Sequence, residues 1–383
     1  METMAAAAAA AAPPAVAGRG RPVPQAGRPA DHDERGGVRA GWMIPDGGVP
    51  EPDFGHLERL TDGRGLFEHA LHAVPRPEHG YCLDDAARGL VVVCREPEPG
   101  PAIRRLTRCY LRFVLDAIEP DGACHNRMTA GGQWRDKAAV GDWWGRALWG
   151  LGVAASAAGT PGMRARALIG FRIAAQRRSA HLRSMAFAAL GAAELLSERP
   201  QEAAATALLA DARAAIGEPS PDPGWPWPED RLSYANAAVA EALIVAGDGL
   251  GDSRALGHGL DLLRFLLQTE TQRGHLSVTP VGGRGRGDPG PGFDQQPIEV
   301  AAMAGACASA YQITCQPHWL TGVHLAWNWF LGDNDSATPM FDPRTGGGYD
   351  GLERFGRNLN QGAESTLAML ATAQLARWAS ETE

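Results

Sequence analysis

From Phe54 onward, apolar residues return at three- and four-residue spacing through segments of about 12 to 20 residues separated by Gly and Pro clusters, which is the period of the α-helix. The segments are of two kinds. One is rich in Ala and Gly and almost uncharged: 84–93, 142–155, 184–195, 234–246, 298–311 and 363–375. The other carries Arg or Glu along one face: 54–71, 103–118, 163–177, 201–215, 253–269 and 318–330. A helix apolar all round belongs inside a fold and one with a polar face belongs at its surface. Six of each in alternation predict an all-α architecture, the (α/α)6 toroid of six inner and six outer helices. An internal repeat agrees, because Asp84-x-x-x-Arg88-Gly-Leu90 recurs as Asp142-x-x-x-Arg146-Ala-Leu148, each opening a small-residue helix. Strand-like alternation is confined to 276–281.

Residues 1–50 are mostly Ala, Pro, Gly and Arg with almost no large apolar side chain, too little to offset the entropy of ordering. They read as a disordered tail before a single toroid domain over 51–383. The opening alanine run is not read as a secretory signal, since Glu2 stands at its start and Arg19 and Arg21 follow it. With 36 Lys and Arg against 44 Asp and Glu, and no basic stripe, the chain lacks the positive footprint that nucleic acid or an anionic membrane requires. Its apolar runs, such as 90–94, stop far short of the roughly 20 residues that span a bilayer. Six cysteines without a C-x-x-C pair, most of them in apolar helical context, suit reduced thiols in a cytoplasmic protein. No clustered Cys/His or D-x-D-x-D pattern points to a metal, and no cofactor is expected. The 282–287 run of Gly and Arg lacks the preceding strand and Lys-Ser/Thr ending of a phosphate loop and reads as a mobile loop.

In such a toroid the inner helices run one way, so the loops before them meet at one mouth. Those loops, 79–81, 121–142, 224–230, 293–296 and 358–361, alternate aromatic residues, carboxylates and amides. A pyranose offers an apolar face and a rim of hydroxyls, which aromatic rings and planar polar groups match. The loops therefore predict a carbohydrate cleft. Asp84 and Arg88 stand one helical turn apart and read as a cap and its ion pair, which leaves Asp85 without a near partner. Asp142 repeats the Asp84 arrangement with Arg146, followed by Trp143 and Trp144. Glu299 and Glu364 each sit on the first turn of an otherwise uncharged helix with no basic residue near in sequence, where the helix dipole also favours them. Asp85, Asp142, Glu299 and Glu364 are the candidate acid, base or nucleophile, since a desolvated or crowded carboxyl can act as an acid. Tyr81, Asp84, Trp143, Arg146, Trp225, Trp227, Asp230, Asp294, Gln295, Gln296, Asn360 and Gln361 are the candidate sugar contacts. Trp225-Pro-Trp227-Pro-Glu229-Asp230 reads either as a stacking platform or as a rigid aromatic plug. His125 and His181 read as structural.

Together the stretches 81–88, 142–149, 225–230, 294–299 and 360–366 resemble a bacterial family of six-hairpin-glycosidase-like proteins associated with glycosidases or glycosyltransferases, over roughly residues 54–380. The family has Tyr-Asp-Asn at the fourth inner helix where this chain has Tyr234-Ala235-Asn236, which turns attention away from that helix as an acid/base source. The resemblance and the residues together imply a glycoside hydrolase or phosphorylase that cleaves an oligosaccharide, a mannoside being one candidate, with two carboxylates in the mouth. The rival expectations are a sugar epimerase or isomerase on the same toroid, marked by paired histidines at the mouth, and a non-catalytic glycan-binding partner of a glycosyltransferase.

Overall fold

The computed structural model describes residues 49–382; nearly all of the 1–50 tail lies outside them. Short helix α1 (Gly55–Arg59) precedes α2 (Leu83–Cys94), α3 (Pro101–Asp116), α4 (Asp142–Ala157), α5 (Pro161–Ala174) and α6 (Leu182–Glu198). Then come α7 (Ala203–Ile216), α8 (Asn236–Leu250), α9 (Ser253–Thr269), α10 (Pro297–Thr314), α11 (His318–Leu331) and α12 (Ala363–Thr382). The even-numbered helices form the inner ring, each packed on the next, and α12 closes onto α2. Each odd-numbered helix covers an inner one, α1 lying on α12. This is the (α/α)6 toroid that the two kinds of segment predict.

Local chemistry starts the outer helices. Pro101 and Pro161 occupy first-turn positions where a missing N–H costs nothing. The Thr160 hydroxyl accepts from the Met163 amide at 3.2 Å, and Asp252 accepts from the Arg254 and Ala255 amides at 3.1 and 3.0 Å. Small residues let the inner ring close up. A Cβ on Gly152 would stand 2.1 Å from the Gly191 carbonyl oxygen, and one on Gly191 would stand 2.2 Å from that of Leu148, so α4 and α6 touch backbone to backbone there.

The first outer segment departs from expectation. Helix covers only Gly55–Arg59 of the 54–71 run, because Asp62 turns the chain by accepting from the Arg64 and Gly65 amides at 2.7 and 3.0 Å. The remainder becomes loop and a two-residue ladder, Ala70–Leu71 against Val74–Pro75. Of the 276–281 stretch only Leu276 enters a strand, His275–Leu276, paired with Thr271–Gln272. The fourth inner helix starts at Asn236, since Ala235 adopts a left-handed conformation with φ 47°.

The loops before the inner helices are stitched to one another. Tyr81–Cys82 pairs with Arg127–Met128, Arg231–Leu232 with Arg284–Gly285, and Gln295 bridges Leu352. The Gln361 and Ala363 amides donate to the His72 and Glu68 carbonyls. The N-terminal ends of the inner helices therefore share one face of the toroid. Among the described residues no helix is long and apolar enough to cross a membrane.

Candidate functional site

Arg88, on the second turn of α2, is the hub of that face. Its guanidinium donates to Asp85 at 2.5 Å and pairs with Glu364 of α12 at 2.9 Å. The helical repeat Asp84…Arg88 thus does not pair internally. Asp84 instead accepts from Arg146 of α4 at 2.7 Å and from the Asn126 side-chain amide at 3.2 Å. Asp85 is 2% exposed, while the Glu364 side chain is 41% exposed. One oxygen of Asp85, one of Glu68 and the Cys82 sulfur all lie within 4.8 Å of one another. Glu68 is also held by Arg127. That trio offers three donors, but both carboxylates already carry guanidinium partners, and burial pushes the Cys82 thiol up, so its chemistry suits proton transfer better than metal ligation.

Two adjacent carboxyls are thereby driven apart. Burial pushes Asp85 up to about 7, with Glu68 and Glu364 adding repulsion against the pull of Arg88. Burial acts on Asp84 in the same direction, but the Arg146 and Arg88 guanidiniums outweigh it and hold Asp84 below the usual range. Asp85 can therefore hold a proton near neutrality, as a general acid must, while Asp84 stays an anion paired with Arg146.

The links continue around the ring. The Arg146 guanidinium lies 4.3 Å from the Phe187 ring centre. Asp142 accepts from the Ser184 hydroxyl of α6 at 2.7 Å and from the Tyr234 hydroxyl at 2.6 Å. Tyr234, 48% exposed, presents its ring beneath the Arg183 guanidinium at 4.8 Å. Arg183 grips both oxygens of Glu229 at 2.8 and 2.7 Å, a bidentate clamp. Glu299 is buried at the start of α10 and accepts from the Ala235 amide at 2.6 Å.

Burial pushes the Glu299 carboxyl up to about 8. An unfolded glutamate titrates near about 4.3, so over the interval up to about 8 the native state holds a proton that the unfolded chain has lost. This residue's contribution is therefore most favourable at low pH and declines as pH rises toward 8. Glu299→Gln keeps an oxygen for the Ala235 amide and removes the titration. Urea unfolding of both proteins between about pH 5 and 8 should show the variant gaining on the wild type by on the order of 1 kcal/mol per pH unit; parallel curves would refute the assignment.

The remaining predicted contacts divide. Asp230 and Asp294 are exposed, Trp143 and Gln296 are half-buried, and the Trp143 indole donates to the Cys124 carbonyl at 2.7 Å. Tyr81 is buried between Phe67 and Phe113, its hydroxyl donating to Asp62 at 2.7 Å. Gln295 and Gln361 are buried and tie loops together, Gln295 to Asp335 at 2.7 Å and Gln361 to Thr345 at 2.7 Å. Asn360 accepts from the His72 amide at 2.9 Å. Trp227 is 1% exposed, and its indole donates to Glu229 at 3.4 Å. Trp225 donates to the Glu229 carbonyl at 2.8 Å and meets Phe265 edge-on. Trp227 is buried and Trp225 half-buried, and both indoles hydrogen-bond Glu229, which clamps Arg183.

Sequence reasoning did not select Glu68, Arg127 or Arg183. Glu68 lies in an irregular loop and Arg127 in a two-residue strand, where nothing local marks them. Arg183 stands on the first turn of α6, and a lone guanidinium at the start of a small-residue helix was a usable signal. His69 and His79, both exposed, stand with ring centres 4.9 Å apart in the loop before α2. His125 serves its own loop, contacting Glu119 and the Asp136 carbonyl and stacking on Trp134.

No family model matches this chain, and no curated protein does. Among solved structures it is similar to a sugar epimerase from a ruminal bacterium, with TM-score 0.63 and 13% identity over 84% of this chain and 95% of that one. Cellobiose 2-epimerase from Bacillus thermoamylovorans aligns at TM-score 0.65 and 11% identity over 85% and 95%. An endoglucanase from Clostridium thermocellum, solved with cellotriose, aligns at 0.56 and 12% over 86% and 67%. At these identities the likeness is one of fold.

Proposed function

We propose that this protein is a carbohydrate-active enzyme that cleaves a glycosidic bond at the N-terminal mouth of the toroid. The observation that carries the reading is the Asp85–Arg88–Glu364 arrangement: a buried carboxyl pushed up to about 7 and a half-exposed carboxylate on opposite branches of one guanidinium. Protonated Asp85 donates to the leaving glycosidic oxygen, and Glu364 activates the incoming water or phosphate. Glu68 sustains the acid by repelling the ionised form of Asp85. The half-exposed Tyr234, with Asp142 on its hydroxyl and Arg183 against its ring, supplies a ring and polar groups for the sugar. That epimerases and an endoglucanase share the fold supports a sugar as the ligand. A single toroid domain in a reducing, cytoplasmic compartment accords with six free cysteines, five of them buried.

A specific observation favours a second reading, epimerisation or isomerisation of a sugar. The His69–His79 pair brings two exposed imidazoles edge-to-face in the loop before α2, two bases of the kind that could remove and return a carbon-bound proton. Proton NMR of the protein with β-mannosides, β-glucosides and cellobiose, in deuterated buffer with and without phosphate, separates the two. Cleavage releases a new reducing end or a sugar phosphate. Epimerisation yields an isomer carrying solvent deuterium. If no sugar is converted and none shifts the melting temperature, the carbohydrate reading fails.

A further inference from the structure

The C-terminal halves of the inner helices line a half-open pocket of about 1090 Å³ on the face opposite the candidate site. Small-molecule sites run to about 1,000 Å³, so a compact ligand fits. The walls combine the indoles of Trp149 and Trp378 with a marked excess of acid: seven carboxylates against two arginines and no lysine. At its wall Glu241 of α8 is 8% exposed, and among the described residues its only hydrogen-bond partner is the Ser309 hydroxyl, at 2.8 Å. Arg95, whose charge acts on Glu241, is taken by Glu194. Buried carboxylates are ordinarily paired, so Glu241 presents uncompensated acceptor capacity to the cavity. Gly305 of α10 leaves it open, for a Cβ there would stand 3.4 Å from Glu241 Oε2.

We infer that this cavity is a second binding site, for a small hydroxylated amine whose ammonium group pairs with Glu241 and whose hydroxyls and carbon skeleton meet the polar walls and the indoles. The Glu241 carboxylate attracts the ammonium group, and the indoles in the same walls offer apolar surface to the carbon skeleton. The acid excess repels anions, and Glu241, which burial pushes up to about 7, gains its counter-ion when the amine enters.

Calorimetric titration of the full chain with glucamine and with sorbitol, the same polyol with and without the ammonium, tests this. Glucamine should bind at least tenfold more tightly than sorbitol. Glu241→Gln should abolish that preference, and Gly305→Leu, which fills the space beside the carboxylate from a helix position where leucine is favoured over glycine, should block glucamine. If the Gln variant does not fold, the Leu variant decides alone. Equal binding of both polyols, no binding of glucamine, or glucamine binding that survives Gly305→Leu overturns the inference.

Discussion

Asp85→Asn should reduce turnover of the cleaved glycoside by about a hundred- to ten-thousand-fold, the range for removing a positioned general acid. The fold should survive, because asparagine keeps an oxygen for Arg88 and Arg88 keeps Glu364. The pH profile carries the sharper signature. Asp85 must be protonated to act, so its deprotonation near 7 sets the alkaline limb of the rate in the wild type, and that limb should vanish in the variant. Steady-state kinetics on folded protein reads both effects. Turnover within a few-fold of the wild type, with the alkaline limb intact, would remove Asp85 from the mechanism.

Trp227→Ala should cost about 3–5 kcal/mol of stability, the penalty for deleting a large buried aromatic and leaving a cavity. Trp227 is 1% exposed, and its indole supports Glu229, which clamps Arg183. Sugar affinity per folded molecule should be little changed, because the ring does not face solvent. Paired unfolding and titration experiments on the one variant check this. A stable variant that has lost sugar affinity by the 1–3 kcal/mol scale of a truncated binding contact would restore the stacking platform.

The architecture is legible along the chain, since each inner helix must be small-residue and apolar all round to fit the ring, and each outer one must be two-faced. That constraint is local and periodic, so it is written into the order of residues. The 54–71 segment misled for an equally local reason: its apolar spacing persists across an Asp62 turn that breaks the helix. The mouth was legible too, as a set of loops with unusual composition.

Partnership was not. Spacing along α2 lets Arg88 meet either Asp84 at i,i+4 or Asp85 at i,i+3, and only the folded ring decides between them: it gives Asp84 to Arg146 of the next helix and leaves Arg88 to Asp85 and Glu364. Glu364 has no basic neighbour in sequence and acquires one only because α12 closes onto α2. Glu68 reaches Asp85 from an irregular loop that carries no period at all. Helix type depends on neighbours three and four residues away and can be read along the chain. Charge pairing and proton affinity depend on what lies within a few ångströms in space, and in a closed ring those groups come from helices far apart in sequence, so the tertiary structure alone decided which carboxyl could hold a proton.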